Sequence, residues 1–250
     1  MKVEKKIAIV TGACCGKGIG AAICRKLASQ GVHIFFTHFQ SEERWPSTFK
    51  EELRGYGVSC KGFDIDLSDH TASRLVIEAC TSQLGVPTIL VNNAAYSMRD
   101  GYGQLDAQTI DAHYTVNMRS AMLLSVEFVR KFEKTNLKNG RIINMISGQE
   151  LGPMLEELAY VATKGAITAF TKTLSAEVAH LGITVNAVNP GATDTTWMND
   201  EIREHLLPKF PTGRIGQPED AAKLIAFLAS NESEWITGQV IHSEGGFLRS

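Results

Sequence analysis

Short apolar runs rich in β-branched residues alternate along the chain with longer stretches in which apolar residues recur at helical spacing. Lys6 to Thr11 is the first such run; it ends in glycines, and Ala21 to Gln30 follows with Ile23, Leu27 and Ala28 at helical spacing, closed by Gly31. That order is strand, turn, helix. Further strands are expected over Val32 to Thr37, Val58 to Ile65, Thr88 to Asn92, Gly140 to Ile146, Ile183 to Asn189 and Val240 to His242. Between them helices are expected over Glu43 to Tyr56, Ala72 to Leu84, Ala107 to Lys134, Leu158 to Leu181 and Pro218 to Leu228. Seven strands alternating with about six helices predict an α/β fold, a doubly wound parallel sheet with helices on both faces. No internal repeat or low-complexity linker interrupts the pattern, so a single domain is expected over 1–250.

The least regular long segment, 191–217, mixes Trp197, Met198, Leu206, Leu207 and Phe210 with charge. Ligands of open α/β sheets bind beyond the carboxyl ends of the strands, so a segment that follows the sixth strand is placed to cover a site as a lid. A surface helical hairpin without function is the alternative reading.

Composition narrows the class of function. The chain carries 25 basic and 27 acidic residues, a net charge of -2, with no long run of one sign, so no electrostatic footprint for nucleic acid is present. Five cysteines (Cys14, Cys15, Cys24, Cys60, Cys80) lack metal-site spacing and read as reduced thiols of a cytoplasmic protein; no metal site is expected. Ile7 to Val10 is too short for a signal-peptide core, and no apolar run approaches a membrane span. The histidines share no spacing, and none is assigned a role.

Candidate chemistry centres on Tyr160 and Lys164, which share a face of the helix that carries them because they are four residues apart. A cation close to a phenol favours the phenolate and lowers its pKa from about 10 by roughly 1–3 units, which would let Tyr160 exchange a proton near neutral pH. Ser147 ends the buried strand that runs through Ile146, where its hydroxyl can hold a substrate oxygen beside the phenol. At the other end of the sequence, the first strand runs into Thr11-Gly12-Ala13-Cys14-Cys15-Gly16-Lys17-Gly18-Ile19-Gly20. Glycines there let backbone amides approach a pyrophosphate, and the following helix aims its positive end at it.

These residues, in this order, resemble the classical short-chain dehydrogenase/reductase family over essentially all of 1–250, in particular its 3-oxoacyl-carrier-protein reductase branch. The resemblance implies a Rossmann-type fold and an oxidoreductase that transfers hydride between NAD(P)(H) and a carbonyl or secondary alcohol. It implies catalytic roles for Asn117, Ser147, Tyr160 and Lys164, with Asn117 holding a water that links Lys164 to solvent. Cofactor contacts are implied for Gly12, Lys17, Gly18, Ile19 and Gly20 in the glycine turn, for Asp66-Leu67 at adenine, and for Asn93-Ala94 after the fourth strand. Pro190-Gly191, Thr193 and Thr195 match the nicotinamide pocket, and Tyr160 and Lys164 reach the ribose. Three departures stand out. Gly18-Ile19-Gly20 fits the family's Gly-Ile-Gly only with two extra residues around Cys14 to Gly16. Ala95 replaces the last glycine of Asn-Asn-Ala-Gly, a mild change where φ is negative. Ile146 stands where a serine is common, and Ser243-Glu244-Gly245-Gly246 stands for Val-Asp-Gly-Gly.

No carboxylate stands at the tip of the second strand, where NAD-preferring folds bond the ribose 2′-hydroxyl, whereas Lys17 and Arg44 are near enough in sequence to face a 2′-phosphate. NADP(H) is therefore preferred over NAD(H), with Glu42 and Glu43 counting the other way. The leading reading is an NADPH-dependent reductase of 3-oxoacyl thioesters or related ketones. The alternatives are a secondary-alcohol or sugar dehydrogenase and a catalytically silent nucleotide-binding regulator, whose signature would be loss of Tyr160 or Lys164. The resemblance, together with two long helices more apolar than one core-facing stripe requires, implies a homotetramer. The other partner implied is a small-molecule carbonyl or alcohol, without nucleic acid or membrane.

Overall fold

In the computed structural model the apolar runs form seven parallel strands, β1 (Ile7–Val10), β2 (His33–His38), β3 (Cys60–Asp64), β4 (Ile89–Asn92), β5 (Gly140–Met145), β6 (Ile183–Asn189) and β7 (Val240–His242), in the order β3-β2-β1-β4-β5-β6-β7. Residues 5–249 are described; residues 1–4 and 250, at the ends of the domain expected over 1–250, lie outside the described residues. Every residue of β1, β4, β5 and β6 is buried, as a parallel sheet covered on both faces requires.

One face is closed by α1 (Ile19–Ala28), α2 (Trp45–Arg54) and α8 (Pro218–Leu228), whose Ile23, Leu27, Phe49 and Ile225 pack on Ala8, Val10, Ile34 and Val91. The other is closed by α3 (Ala72–Gln83), α5 (Ser120–Glu133) and α6 (Leu158–Val178), whose Val76, Phe128 and Leu174 pack on Ile9, Leu90 and Val185. The strand order reverses between β1 and β4, and the two chains leaving those strands open a crevice at their carboxyl ends.

The helix expected over 107–134 is three pieces: α4 (Ala107–His113), a π-helical turn at Tyr114–Arg119 and α5. An extra residue per turn here rotates the helix so that Asn117 points inward, where it is buried. Segment 191–217 contains α7 (Asp200–Leu206) and a 3-10 turn at Leu207–Lys209. Its Met198, Phe210 and Ile215 form a small core of their own with Phe247 packed against it, and Arg203 clamps Asp194 through two hydrogen bonds of 3.0 Å.

Candidate active site

The helix that carries Tyr160 is fixed from outside itself. Asp100, in the loop after β4 and 6 % exposed, accepts the first-turn amides of Leu158 at 2.7 Å and Ala159 at 2.9 Å. A carboxylate on those orphan donors satisfies the helix end and complements its dipole. One turn on, the Lys164 ammonium is buried, donates to the Met145 carbonyl at 2.9 Å and lies 5.5 Å from the centre of the Tyr160 ring. Met145 ends β5 two residues before Ser147, so this one hydrogen bond aligns α6 with the strand that delivers the serine. Gln149 extends the alignment, accepting the Ser147 N–H at 3.1 Å and donating to Thr168 at 3.2 Å.

The electrostatics differ from the sequence expectation. Burial pushes the Tyr160 phenol up to about 12, with the Glu157 carboxylate adding to the rise and the Ser147 hydroxyl opposing it. Lys164 does not pull it down, because its ammonium faces the ring and the Met145 carbonyl; burial instead lowers that ammonium to about 8. Tyr160 thus stands as a proton donor held neutral next to a cation that is itself close to giving up its charge.

Asn117 also takes a different part. Its Oδ1 accepts the Tyr96 N–H at 2.7 Å, and its Nδ2 donates to the Tyr96 carbonyl at 2.8 Å and to Thr163 Oγ1 at 3.2 Å. The side chain is a tie between the loop after β4 and α6, which leaves its backbone for the expected water. His113, four residues earlier, was passed over in the sequence because no other histidine shares its spacing. It is fully buried: Nδ1 donates to the Thr109 carbonyl at 2.8 Å, Nε2 accepts the Met98 N–H at 3.3 Å, and the ring meets Tyr96 and Tyr160 edge-on at 4.9 and 6.4 Å. Its spacing to Asn117 was the available signal. Asp100 had none, since its partners lie more than fifty residues away.

At the glycine turn, Gly12 has φ +72°, and a Cβ there would fall 2.7 Å from the Ala94 Cα; a Cβ on Gly20 would fall 2.7 Å from the Asn93 side chain. Asn93 bridges the turn to β4, donating to the Thr11 and Gly12 carbonyls at 2.8 and 3.2 Å, while the Ala94 N–H meets Thr11 Oγ1 at 3.0 Å. Gly18 is the N-cap of α1, directly before Ile19, and provides no side chain for the first amides of the helix. Those free donors suit a pyrophosphate, and the helix start at Ile19 places the two extra residues in the turn before it. Ala95 is not among the described non-glycine residues with positive φ, so its methyl is accommodated without strain.

Asp66 holds its own turn by accepting the Ser68 N–H at 2.8 Å, and Leu67 is buried in the core. Lys17 and Arg44 are exposed. A carboxylate does stand beside the tip of β2, from the neighbouring strand: Asp64 lies 3.7 Å from His38, whose own pKa burial lowers. Gly191, with φ +67°, turns the chain after Pro190, and Thr193 Oγ1 donates to the carbonyls of Pro190 and Gly191 at 3.3 and 3.2 Å. Ser147, Tyr160, Pro190, Gly191, Thr193 and Thr195 line one cleft of about 1280 Å³, together with Trp197 and Leu206 of segment 191–217. Ile19 brings the end of the glycine turn to the same cleft, whereas Gly12, Lys17, Gly18, Gly20, Arg44 and Asp66 lie outside its lining, and Lys164 and Asn117 are buried behind it.

A family model described as enoyl-(acyl carrier protein) reductase matches residues 12–248. Over 98 % of both chains the protein is 63 % identical to the uncharacterized oxidoreductase YjdA of Bacillus subtilis. It is 34 % identical to the 3-oxoacyl-[acyl-carrier-protein] reductase FabG of Vibrio cholerae, again over 98 % of both. The chain belongs to the short-chain dehydrogenase/reductase family. Among solved members, the acetoin dehydrogenase YohF of Salmonella typhimurium superposes with a TM-score of 0.86 at 32 % identity, covering 97 % of this chain and 96 % of that one. A blue fluorescent protein from a metagenomic library, in complex with NADPH, superposes with a TM-score of 0.88 at 29 % identity over 97 % of both. Family membership makes the chain an oxidoreductase that uses a nicotinamide cofactor on a CH–OH or C=O group.

Proposed function

We propose that this protein is an NADPH-dependent reductase of 3-oxoacyl thioesters or related ketones. The observation that carries the reading is the convergence of Ser147 and Tyr160 on one cleft floor, with Lys164 locked beneath them by the Met145 carbonyl. Bound nicotinamide supplies the hydride. The rest is the work of side chains. Ser147 bonds the substrate carbonyl oxygen, and Tyr160, neutral at physiological pH, gives that oxygen a proton as negative charge develops on it. Lys164, a cation close to its neutral form, stands beside the phenol to pass its own proton on once Tyr160 has given its proton up. The free amides at the start of α1 hold the pyrophosphate, and Thr193 and Thr195 border the nicotinamide end.

Support for the substrate class is the similarity to FabG; support for NADPH is the exposed pair Lys17 and Arg44 beside the turn. The likeness to an acetoin dehydrogenase favours a second reading, a secondary-alcohol dehydrogenase, and Asp64 beside His38 is what favours NADH in it. The lid role of 191–217 rests on Trp197 and Leu206 in the cleft lining. A cytoplasmic homotetramer accounts for the five free thiols and for the exposed Ile110, Tyr114, Leu123 and Leu158 on α4 to α6; among the described residues no helix is long and apolar enough to cross a membrane. Sedimentation at micromolar concentration tests the assembly, and a monomer refutes it. A turnover screen over oxoacyl thioesters, diketones, steroids and polyols with both cofactors tests the activity: faster reduction of a 3-oxoacyl thioester with NADPH supports the first reading, and preferential oxidation of a diol or polyol with NAD overturns it.

A further inference from the structure

The two extra residues in the glycine turn do not hang free. The Trp45 indole N–H donates to the Ala13 carbonyl at 2.9 Å, and a Cβ on Gly16 would lie 3.2 Å from the indole ring, so the turn is laid flat against that ring. Trp45 stacks on Phe49, with ring centres 4.5 Å apart and planes 17° apart, and Phe49 is wholly buried in the core. From the other side, Arg25 of α1 donates to the Gly16 carbonyl at 2.7 Å while Glu52 of α2 holds its guanidinium at 2.5 and 3.1 Å. A longer turn has more conformations to lose, and an aromatic anchor with a directional hydrogen bond restricts them.

The position of this clamp in the chain gives it a second consequence. Lys17 follows Gly16, and Arg44 precedes Trp45, so each of the two exposed cations is one peptide from the contact between indole and turn. Fixing that contact fixes the backbone positions from which the two charged side chains extend. We propose that Trp45 is a specificity-determining positioning residue: it sets Lys17 and Arg44 as a pair around the 2′-phosphate of the adenosine ribose, and so sets the preference between the two nicotinamide cofactors. This rests on the NADPH reading given above.

The test measures dissociation constants of NADPH and NADH for the parent, Trp45→Phe and Gly16→Ala, with kcat at saturating cofactor and Tm alongside. Trp45→Phe keeps the stack and removes the hydrogen bond; Gly16→Ala keeps the bond and pushes the turn off the ring. Each is expected to lower the affinity for NADPH about three- to fivefold more than that for NADH, and Trp45→Phe is expected to leave kcat within about twofold of the parent. Equal weakening of both nucleotides, or a fall in Tm with the preference intact, shows a merely structural tryptophan and overturns the inference while leaving the NADPH reading in place. A parent that prefers NADH, or binds neither nucleotide, overturns both. Should Trp45→Phe fail to fold, Gly16→Ala decides alone.

Discussion

The catalytic floor and the glycine turn lie at the same edge of the sheet and are held in opposite ways. On the floor the groups that support Ser147 and Tyr160 are tied to polar partners: Lys164 to Met145, Asn117 to Tyr96 and Thr163, and the start of α6 to Asp100. The turn is irregular, its Lys17 is exposed, and it is restrained by a clamp of Trp45 and Arg25 reaching over from α2 and α1. Groups that transfer protons need fixed geometry and low dielectric, whereas a charge that greets a phosphate keeps its hydration until the ligand arrives. Damage to the floor should therefore appear in kcat, and damage to the turn in cofactor affinity and preference.

The sharpest break is Tyr160→Phe. It removes the proton donor and leaves the ring on His113 and beside Lys164, so kcat should fall by about 10²–10⁴-fold with the cofactor dissociation constant within about twofold. Activity within tenfold of the parent would place the proton donor elsewhere.

Lys164→Met should lower kcat by about 10²-fold and also weaken cofactor binding, since the proposed roles give one ammonium both the phenol and the ribose. It carries a pH signature as well. The folded ammonium titrates at about 8, below its ordinary 10.5, so between those values the unfolded chain binds the proton that the folded chain has lost. Parental stability should accordingly rise relative to Lys164→Met as pH climbs from 8 to 10, by on the order of 2–3 kcal/mol. The raised Tyr160 is present in both proteins, so its own contribution drops out of this comparison. Denaturant midpoints that run parallel across the window would mean that the ammonium is hydrated.

Asn117→Ala is a smaller blow to the same region. Three buried hydrogen bonds disappear, with an expected loss of about 2–3 kcal/mol in stability and roughly tenfold in kcat, and cofactor preference unchanged. A shift in preference would dissolve the division between floor and turn.

The sequence shows the two regions unequally for the same physical reason. Tyr160 and Lys164 are one helical turn apart and Ser147 ends a buried strand, so local periodicity alone brings them to one place, and all seven strands were visible as apolar runs. The helix over 107–134 was visible as a length but not as a break at Tyr114–Arg119. Asp100 and Trp45 act through partners chosen by the tertiary fold, at separations of fifty-nine and thirty-two residues, and nothing in their local pattern announces it. The phenol's raised pKa was missed because proximity of a cation was legible and the depth of burial was not.

The mildest substitution sharpens the comparison most. Lys17→Ala removes an exposed charge that makes no contact with the cleft, so neither kcat nor Tm should change. An ion pair between an exposed ammonium and a phosphate is worth about 0.5–1.5 kcal/mol after solvent screening, which corresponds to roughly a three- to tenfold fall in the ratio of kcat/KM for NADPH over NADH. Screening makes a further demand. Because the contact is exposed, the parental ratio should itself decline between 0.05 and 0.5 M salt, to about the value of Lys17→Ala, as the Debye length falls from roughly 14 to 4 Å. Arg44→Ala should do the same to a lesser degree. A ratio unchanged by the substitution and indifferent to salt would mean that the 2′-position is read by a buried group instead, with His38 at the tip of β2 the candidate, and the turn would then resemble the floor after all.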